Sequence, residues 1–186
     1  MNDVTSKTYI LRLTVTLFLV TAVVALLLSF VNAVTKDTIA EKARQKLSAA
    51  LCEVMPEADD EFSDPIYDDG SCQVYKATSG GRDLGWCIKY PAFGYGGELT
   101  LAVGVSESLE VTGVAIVEHS ETAGMGSKAD NPDWLSQFVG RSGAFTLKGD
   151  GDHIDAVTGA TVTSRAVTAG VNGALELAAQ IKGGEK

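Results

Sequence analysis

The sequence predicts an α+β domain, a twisted antiparallel sheet flanked by helices, preceded by one N-terminal transmembrane helix. Three observations carry this prediction. An uncharged apolar run of 22 residues spans Leu13 to Val34, four short segments rich in β-branched and aromatic residues follow between turns, and an Ala-rich helical pattern closes the chain. At 186 residues the chain has room for one core and an anchor, not for two substantial domains.

The run LTVTLFLVTAVVALLLSFVNAV matches the ~20 residues that a helix needs to cross a bilayer core. A cleaved signal is the rival reading, because Val31-Asn32-Ala33 has a small-residue ending. The apolar run exceeds the roughly 7 to 15 residues of a signal core, so an uncleaved anchor is expected. Residues 1–35 are assigned to the tail and anchor, 36–70 to a connecting helix and acidic loop, and 71–186 to the folded domain. Lys36, Lys42, Arg44 and Lys46 after the span outnumber Lys7 and Arg12 before it, a count that leans towards a cytoplasmic domain. Long domains translocate largely regardless of such charge, and three of those residues lie in a mixed-charge helical stretch. The protein is therefore expected in the cell membrane as a single-pass chain with its domain on the extracytoplasmic side.

Asp37 to Val54 places Ile39, Leu47, Leu51 and Val54 among charged residues at near-helical spacing, which predicts an amphipathic continuation of the anchor. Pro56 and the acidic run to Glu61 end it. Strands are expected at Cys72 to Thr78, Gly85 to Tyr90, Leu99 to Val105 and Val111 to Val117, in an antiparallel meander. Asn131 to Val139 reads as a short helix with Pro132 in its first turn and Trp134, Leu135 and Phe138 on one apolar face, assigned to the core. Further strands are expected at Ala144 to Lys148 and His153 to Ala156. Thr163 to Ile181 forms the final helix, opened by the Thr163-Ser164 pair as cap and stopped by Gly183-Gly184.

Composition excludes some functions. With 45% hydrophobic and 21% charged residues the chain is a folding one. Beyond residue 35 it carries 13 basic and 23 acidic side chains, a net charge of −10 with no basic cluster, so nucleic-acid binding is disfavoured. No G-x-S-x-G elbow is present and only two His occur, which argues against a serine hydrolase. No Cys/His spacing supports a metal site. Cys72 and Cys87 flank the Ser79-Gly80-Gly81 turn at similar distances and either form a disulfide across a hairpin or remain reduced core residues.

The segment Asp155-Ala156-Val157-Thr158-Gly159-Ala160-Thr161 precedes the final helix. Small residues opening a helix expose backbone N–H groups at the positive end of its dipole, a phosphate-binding arrangement, and Thr158, Thr161, Thr163 and Ser164 add hydroxyls. On these grounds alone, a plain capped strand-to-helix turn is the favoured reading. The residues D-x-x-T-G-A-T, however, resemble the flavinylation motif of the FMN-binding domain family, found in the G-type component of Rnf complexes and the C-type component of sodium-pumping quinone reductases. Gly94-Tyr95-Gly96-Gly97, and Glu118 to Lys128 with His119, Glu121, Thr122, Gly124 and Gly126, resemble the family's G-Y-G-G and H-x-E-T-P-G-L-G segments. Ala123 replaces the usual Pro and Met125 the usual Leu.

The resemblance implies that Thr161 carries covalent FMN as a phosphate ester, placed there by a flavin transferase that uses FAD. It places Asp155, Thr158, Gly159, Ala160, Thr163 and Ser164 around the attachment. It also assigns ring contacts to Glu121, Thr122, Gly124, Met125 and Gly126, with Lys128 near the flavin's negative charge. Partners are then the other integral and peripheral subunits of an Rnf-type complex that passes electrons between ferredoxin and NAD and moves sodium or protons. The chain lacks a dinucleotide fingerprint and Fe–S cysteine clusters, so it is not expected to catalyse that reaction alone. A role like that of the quinone-reductase component is the nearer alternative, disfavoured by length. A membrane-tethered scaffold without cofactor is the more distant one.

Overall fold

The computed structural model describes residues 3–58, 62, 64–122, 124, 126–147 and 153–184. They divide into two compact units, Met1–Gln45 and Lys46–Lys186.

The first helix, α1 (Asp3–Val54), is the one helix among the described residues long and apolar enough to cross a membrane, and its apolar window is not buried by protein. Phe18 and Phe30 are each at least 70% exposed, as lipid-facing side chains would be. Within the span, hydroxyls return to the backbone. Thr14 donates to the Ile10 carbonyl at 3.0 Å, Thr16 to Arg12 at 2.8 Å and Thr35 to Val31 at 2.8 Å, so these hydroxyl protons are not left to hydrocarbon. The predicted continuation past the anchor is present as one helix. Ile39 remains exposed, whereas Leu47 is half-buried and Leu51 and Val54 are buried, because only the last turns meet a sheet.

In the second unit, β1 (Tyr67–Asp68), β2 (Gln73–Ser79), β3 (Arg82–Phe93), β4 (Glu98–Ser106) and β5 (Val111–His119) form an antiparallel meander in sequence order. This is the predicted topology, with β3 longer than expected because it runs on through Pro91. That residue pairs with Thr100 beyond the end of β2, where a missing N–H costs little. A bulge between Ala77 and Thr78 sets the β2–β3 register. It places Cys87 opposite Tyr75 and leaves Cys72 outside the strand, three positions away. All three cysteines are free, so the disulfide alternative is not realised.

The sheet is covered on both faces. On one face Ile88, Leu99, Leu101 and Val103 pack with Phe138 and with Val167, Val171 and Ala174 of α3 (Thr161–Gly184). On the other, Ala77, Cys87, Ala102 and Ala115 receive Leu51, Val54 and Met55. Burying a side chain such as Leu51 contributes about 1.5–3 kcal/mol. The helix end comes close enough to touch strand backbone. Gly104 and Gly113 are cross-strand partners, and a methyl group on either would lie 2.5–2.6 Å from Val54 backbone atoms. Thr112 donates its hydroxyl to the Val54 carbonyl at 2.8 Å, satisfying a helix-end acceptor.

The short helix is α2 (Pro132–Leu135), continued by a 3₁₀ turn at Ser136–Phe138; the Asn131 side chain caps it by accepting from the Asp133 N–H at 3.0 Å. The last strands shrink to β6 (Thr146–Leu147) and β7 (His153–Ile154), paired in parallel; Lys148 lies outside the described residues.

Candidate flavin site at the start of the last helix

Helix α3 begins at Thr161, two residues before the expected start. Thr163 and Ser164 therefore sit in its first turn rather than at its cap, and both are buried. The chain reaches Thr161 through Gly159, whose φ of +81° belongs to the left-handed region, and through a turn in which the Ala160 N–H donates to the Val157 carbonyl at 2.9 Å. Ser164 fastens this turn. Its hydroxyl donates to the Ala160 carbonyl and accepts from the Val157 N–H, both at 3.0 Å. Asp155 is held by its backbone: its N–H donates to the Gln137 side chain at 2.9 Å, and its carbonyl accepts from the Trp134 indole at 2.5 Å. The side chains of Thr158 and Thr161 are left exposed at the helix mouth.

Thr161 opens a groove of about 440 Å³ that runs along α3. Arg165, Thr168 and Asn172 continue its helical side, and Phe145 and Leu147 face them. Asn172 builds the opposite wall, since its side chain accepts from the Phe145 N–H at 2.8 Å and donates to the Phe145 carbonyl at 2.9 Å. Edge-to-face contacts from Trp134 to Phe138 and from Phe138 to Phe145 support that wall from below. Sequence reasoning did not identify Arg165, Thr168 or Asn172. Their spacing of four, seven and eleven residues from Thr161 places them on one helical stripe and was the available signal.

Glu121 organises the other side. It is 9% exposed, and its carboxylate accepts from the Tyr95 N–H at 2.8 Å, the Gly96 N–H at 3.1 Å and the Thr163 hydroxyl at 3.0 Å. Three distant pieces of sequence, the Gly94–Gly97 loop, the loop after β5 and the first turn of α3, thus meet on one buried charge. Gly94 and Gly126 leave it room, since a methyl group on either would collide with the carboxylate. His119 accepts the Glu121 N–H through Nδ1 at 3.3 Å.

Thr122 and Gly124 lie exposed on this loop, and the Gly124 N–H donates to the Ser127 hydroxyl at 2.9 Å. Lys128 is exposed in a 3₁₀ turn, Gly126–Ala129, of which it is the one basic residue. Met125 and Ala123 lie outside the described residues. The structure therefore joins Glu121 to Thr163 directly and surrounds Thr161 with Gly159, Ala160 and Ser164. Among the described residues it shows no hydrogen bond between Lys128 and the motif. Among the described residues no cluster of His, Cys, Asp and Glu is suited to a metal.

Residues 94–176 match the FMN-binding domain, and residues 1–54 match the RnfG N-terminal region. Over 189 positions the chain is 34% identical to the G component of the Na(+)-translocating ferredoxin:NAD(+) oxidoreductase complex of Acetobacterium woodii, covering 90% of this chain and 91% of that one. The G component of the ion-translocating oxidoreductase complex of Shewanella baltica is 34% identical over 80% of each chain. That of Cereibacter sphaeroides is 31% identical over 82% of this chain and 77% of its own. Among solved structures, NqrC of Shewanella oneidensis aligns with a TM-score of 0.45 and 26% identity, over 64% of this chain and 66% of that one. The loop around Glu121, the Asp155–Thr161 turn and most of α3 all fall inside the FMN-binding match, and the chain belongs to the RnfG family of ion-translocating oxidoreductase components.

Proposed function

We propose that this chain is the electron-carrying RnfG component of an Rnf-type complex, and that its FMN is esterified through phosphate to the Thr161 hydroxyl. The observation that carries the attachment is the position of that hydroxyl: exposed, on the first residue of α3, at the head of a groove. The first-turn N–H groups have no acceptor within the helix, and with the helix dipole they favour an anion there. The residues present fit a phosphoryl group, since they supply an exposed hydroxyl, small neighbours at Gly159 and Ala160, and a cation at Arg165.

Bound FMN supplies the redox chemistry, and the protein's part is position and tuning. Ser164 fixes the turn that presents Thr161. Asp155 and Thr158 shape the approach for a flavin transferase using FAD as donor. Glu121 acts by holding the Gly94–Gly97 loop, its own loop and α3 together, so that Thr122, Gly124 and Gly126 form a wall for the ring. Lys128 lies at the edge of that wall and adds positive charge that favours reduced flavin.

α1 anchors the chain in the cell membrane, and the domain lies on the extracytoplasmic side. Its partners are the remaining integral and peripheral subunits, which bring the ferredoxin and NAD sites that this chain lacks. The match of residues 1–54 to the RnfG N-terminal region favours this reading over one in a sodium-pumping quinone reductase.

Mass spectrometry tests the attachment. Coexpressed with a flavin transferase, the Thr161 peptide should gain one esterified FMN, and Thr161→Val should remove the adduct without altering the circular dichroism spectrum. An unmodified peptide in the loaded membrane fraction would refute the assignment. Protease added outside sealed spheroplasts should degrade the domain; complete protection would reverse the orientation.

A further inference from the structure

The groove along α3 carries an unbalanced charge. Among the described residues its lining holds one cation, Arg165, and no carboxylate, in a chain whose net charge is −9. Arg165 has no ion-pair partner among those residues. The other polar side chains of its stripe are occupied. The Thr168 hydroxyl donates to the Ser164 carbonyl at 2.8 Å, and Asn172 is bound at both ends to Phe145. A guanidinium left in a groove of about 440 Å³ is a site for an anion.

Helical geometry says where that anion lies. Thr161 and Arg165 are four residues apart, so their Cβ atoms are about 5–6 Å from each other on one face. The long Arg side chain reaches a phosphoryl group carried on the Thr161 oxygen, and its planar fork offers two parallel N–H donors to the non-bridging oxygens. Lys128, on the loop after β5, makes no hydrogen bond to the motif among the described residues, and the buried side chain of Glu121 offers no cation.

We infer that Arg165 is the counter-ion of the phosphodiester at Thr161, and that the α3 groove seats the ribityl-phosphate end of the flavin. This rests on the attachment reading above. Loading from FAD forms the Thr161 Oγ1–phosphorus bond and breaks the P–O–P anhydride. AMP departs with the electron pair, the hydroxyl proton passes to a base of the transferase, and no oxidation state changes. Arg165 meets the charge that gathers on the phosphoryl oxygens and then remains paired with the product ester.

The test uses the full-length chain in detergent with transferase, FAD and a divalent cation. Intact mass follows loading, and ³¹P NMR reads the loaded diester. Arg165→Gln should slow loading at least tenfold at subsaturating FAD, Arg165→Glu should slow it further, and Arg165→Lys should recover part of the rate. The diester resonance should move in loaded Arg165→Gln and stay in place in Lys182→Gln, a control far along the helix. The resonance decides: an unmoved signal in Arg165→Gln overturns the pairing whatever the rate, since slow loading would then report contact with the transferase. A wild-type chain that takes up no FMN, or a Thr161→Val chain that does, overturns the attachment itself. The two failures are therefore separable.

Discussion

The Glu121 carboxylate accepts the Thr163 hydroxyl at 3.0 Å across 42 residues of sequence, and this bond joins the loop after β5 to the first turn of α3. Because the same carboxylate also binds the Tyr95 and Gly96 N–H groups, it replaces water for two donors on a third segment. Glu121→Gln keeps the shape and one acceptor oxygen but loses the charge. Charge-assisted bonds are worth about 1.5–3 kcal/mol each, so this variant should lose at least that much stability in urea denaturation. Thr163→Val should lose about 1–3 kcal/mol by removing one of the two donors to Glu121 Oε1. Midpoints unchanged in both variants would show that the junction carries no weight.

Thr161→Ser keeps the oxygen and removes a methyl group. The serine variant should therefore carry flavin, visible as a fluorescent band on a denaturing gel, whereas Thr161→Val stays dark. A dark serine variant would mean that the methyl contact, and not the hydroxyl alone, governs loading.

Gly113→Ala adds a methyl group 2.6 Å from the Val54 backbone at a place with no flexible side chain to yield. Overpacking of this kind costs about 1–3 kcal/mol, and Thr112→Val next to it should cost about 1 kcal/mol through the lost bond to the Val54 carbonyl. Thermal unfolding of the two variants gives the comparison. Gly113→Ala as stable as wild type would show that the helix end is not pressed on the sheet.

Burial pushes the Cys87 thiol up to about 12, with Cys52 nearby adding to the rise. At pH 8 almost none of it is thiolate, so a maleimide should leave Cys87 unlabelled in the folded protein and label it after denaturation. Cys72 is raised as well, first by burial and then by Asp69. It is half-buried at the sheet margin and should label slowly but fully. Rapid labelling of Cys87 at pH 8 would contradict its place in the core.

The meander was legible because each strand carries β-branched residues between Gly or polar turns, a local signal. The bulge between Ala77 and Thr78 was not, and it alone decides which residue faces Cys87. The start of α3 was missed by two residues because Thr161 and Val162 are β-branched and read as strand or turn; the helix gains them through the Ser164 bonds, which no local pattern announces. The motif around Thr161 was visible in sequence, but the groove beyond it depends on Asn172 holding Phe145 from 27 residues away. Glu121 was singled out through the family resemblance of its loop, as a flavin contact. Its inward commitment to Tyr95, Gly96 and Thr163 required the loops to be brought together.

The seat that Gly104 and Gly113 make for Val54 also decides where the chain can be cut. Leu51, Val54 and Met55 are as much core residues as Ala102 or Cys87, although the helix that bears the first two begins as an anchor. A water-soluble fragment should therefore keep everything from Lys46 onward. Trimming at the end of the helix would strip one side of the sheet of its cover, leave Ala77, Ala102 and Ala115 facing water, and yield aggregates instead of a smaller domain.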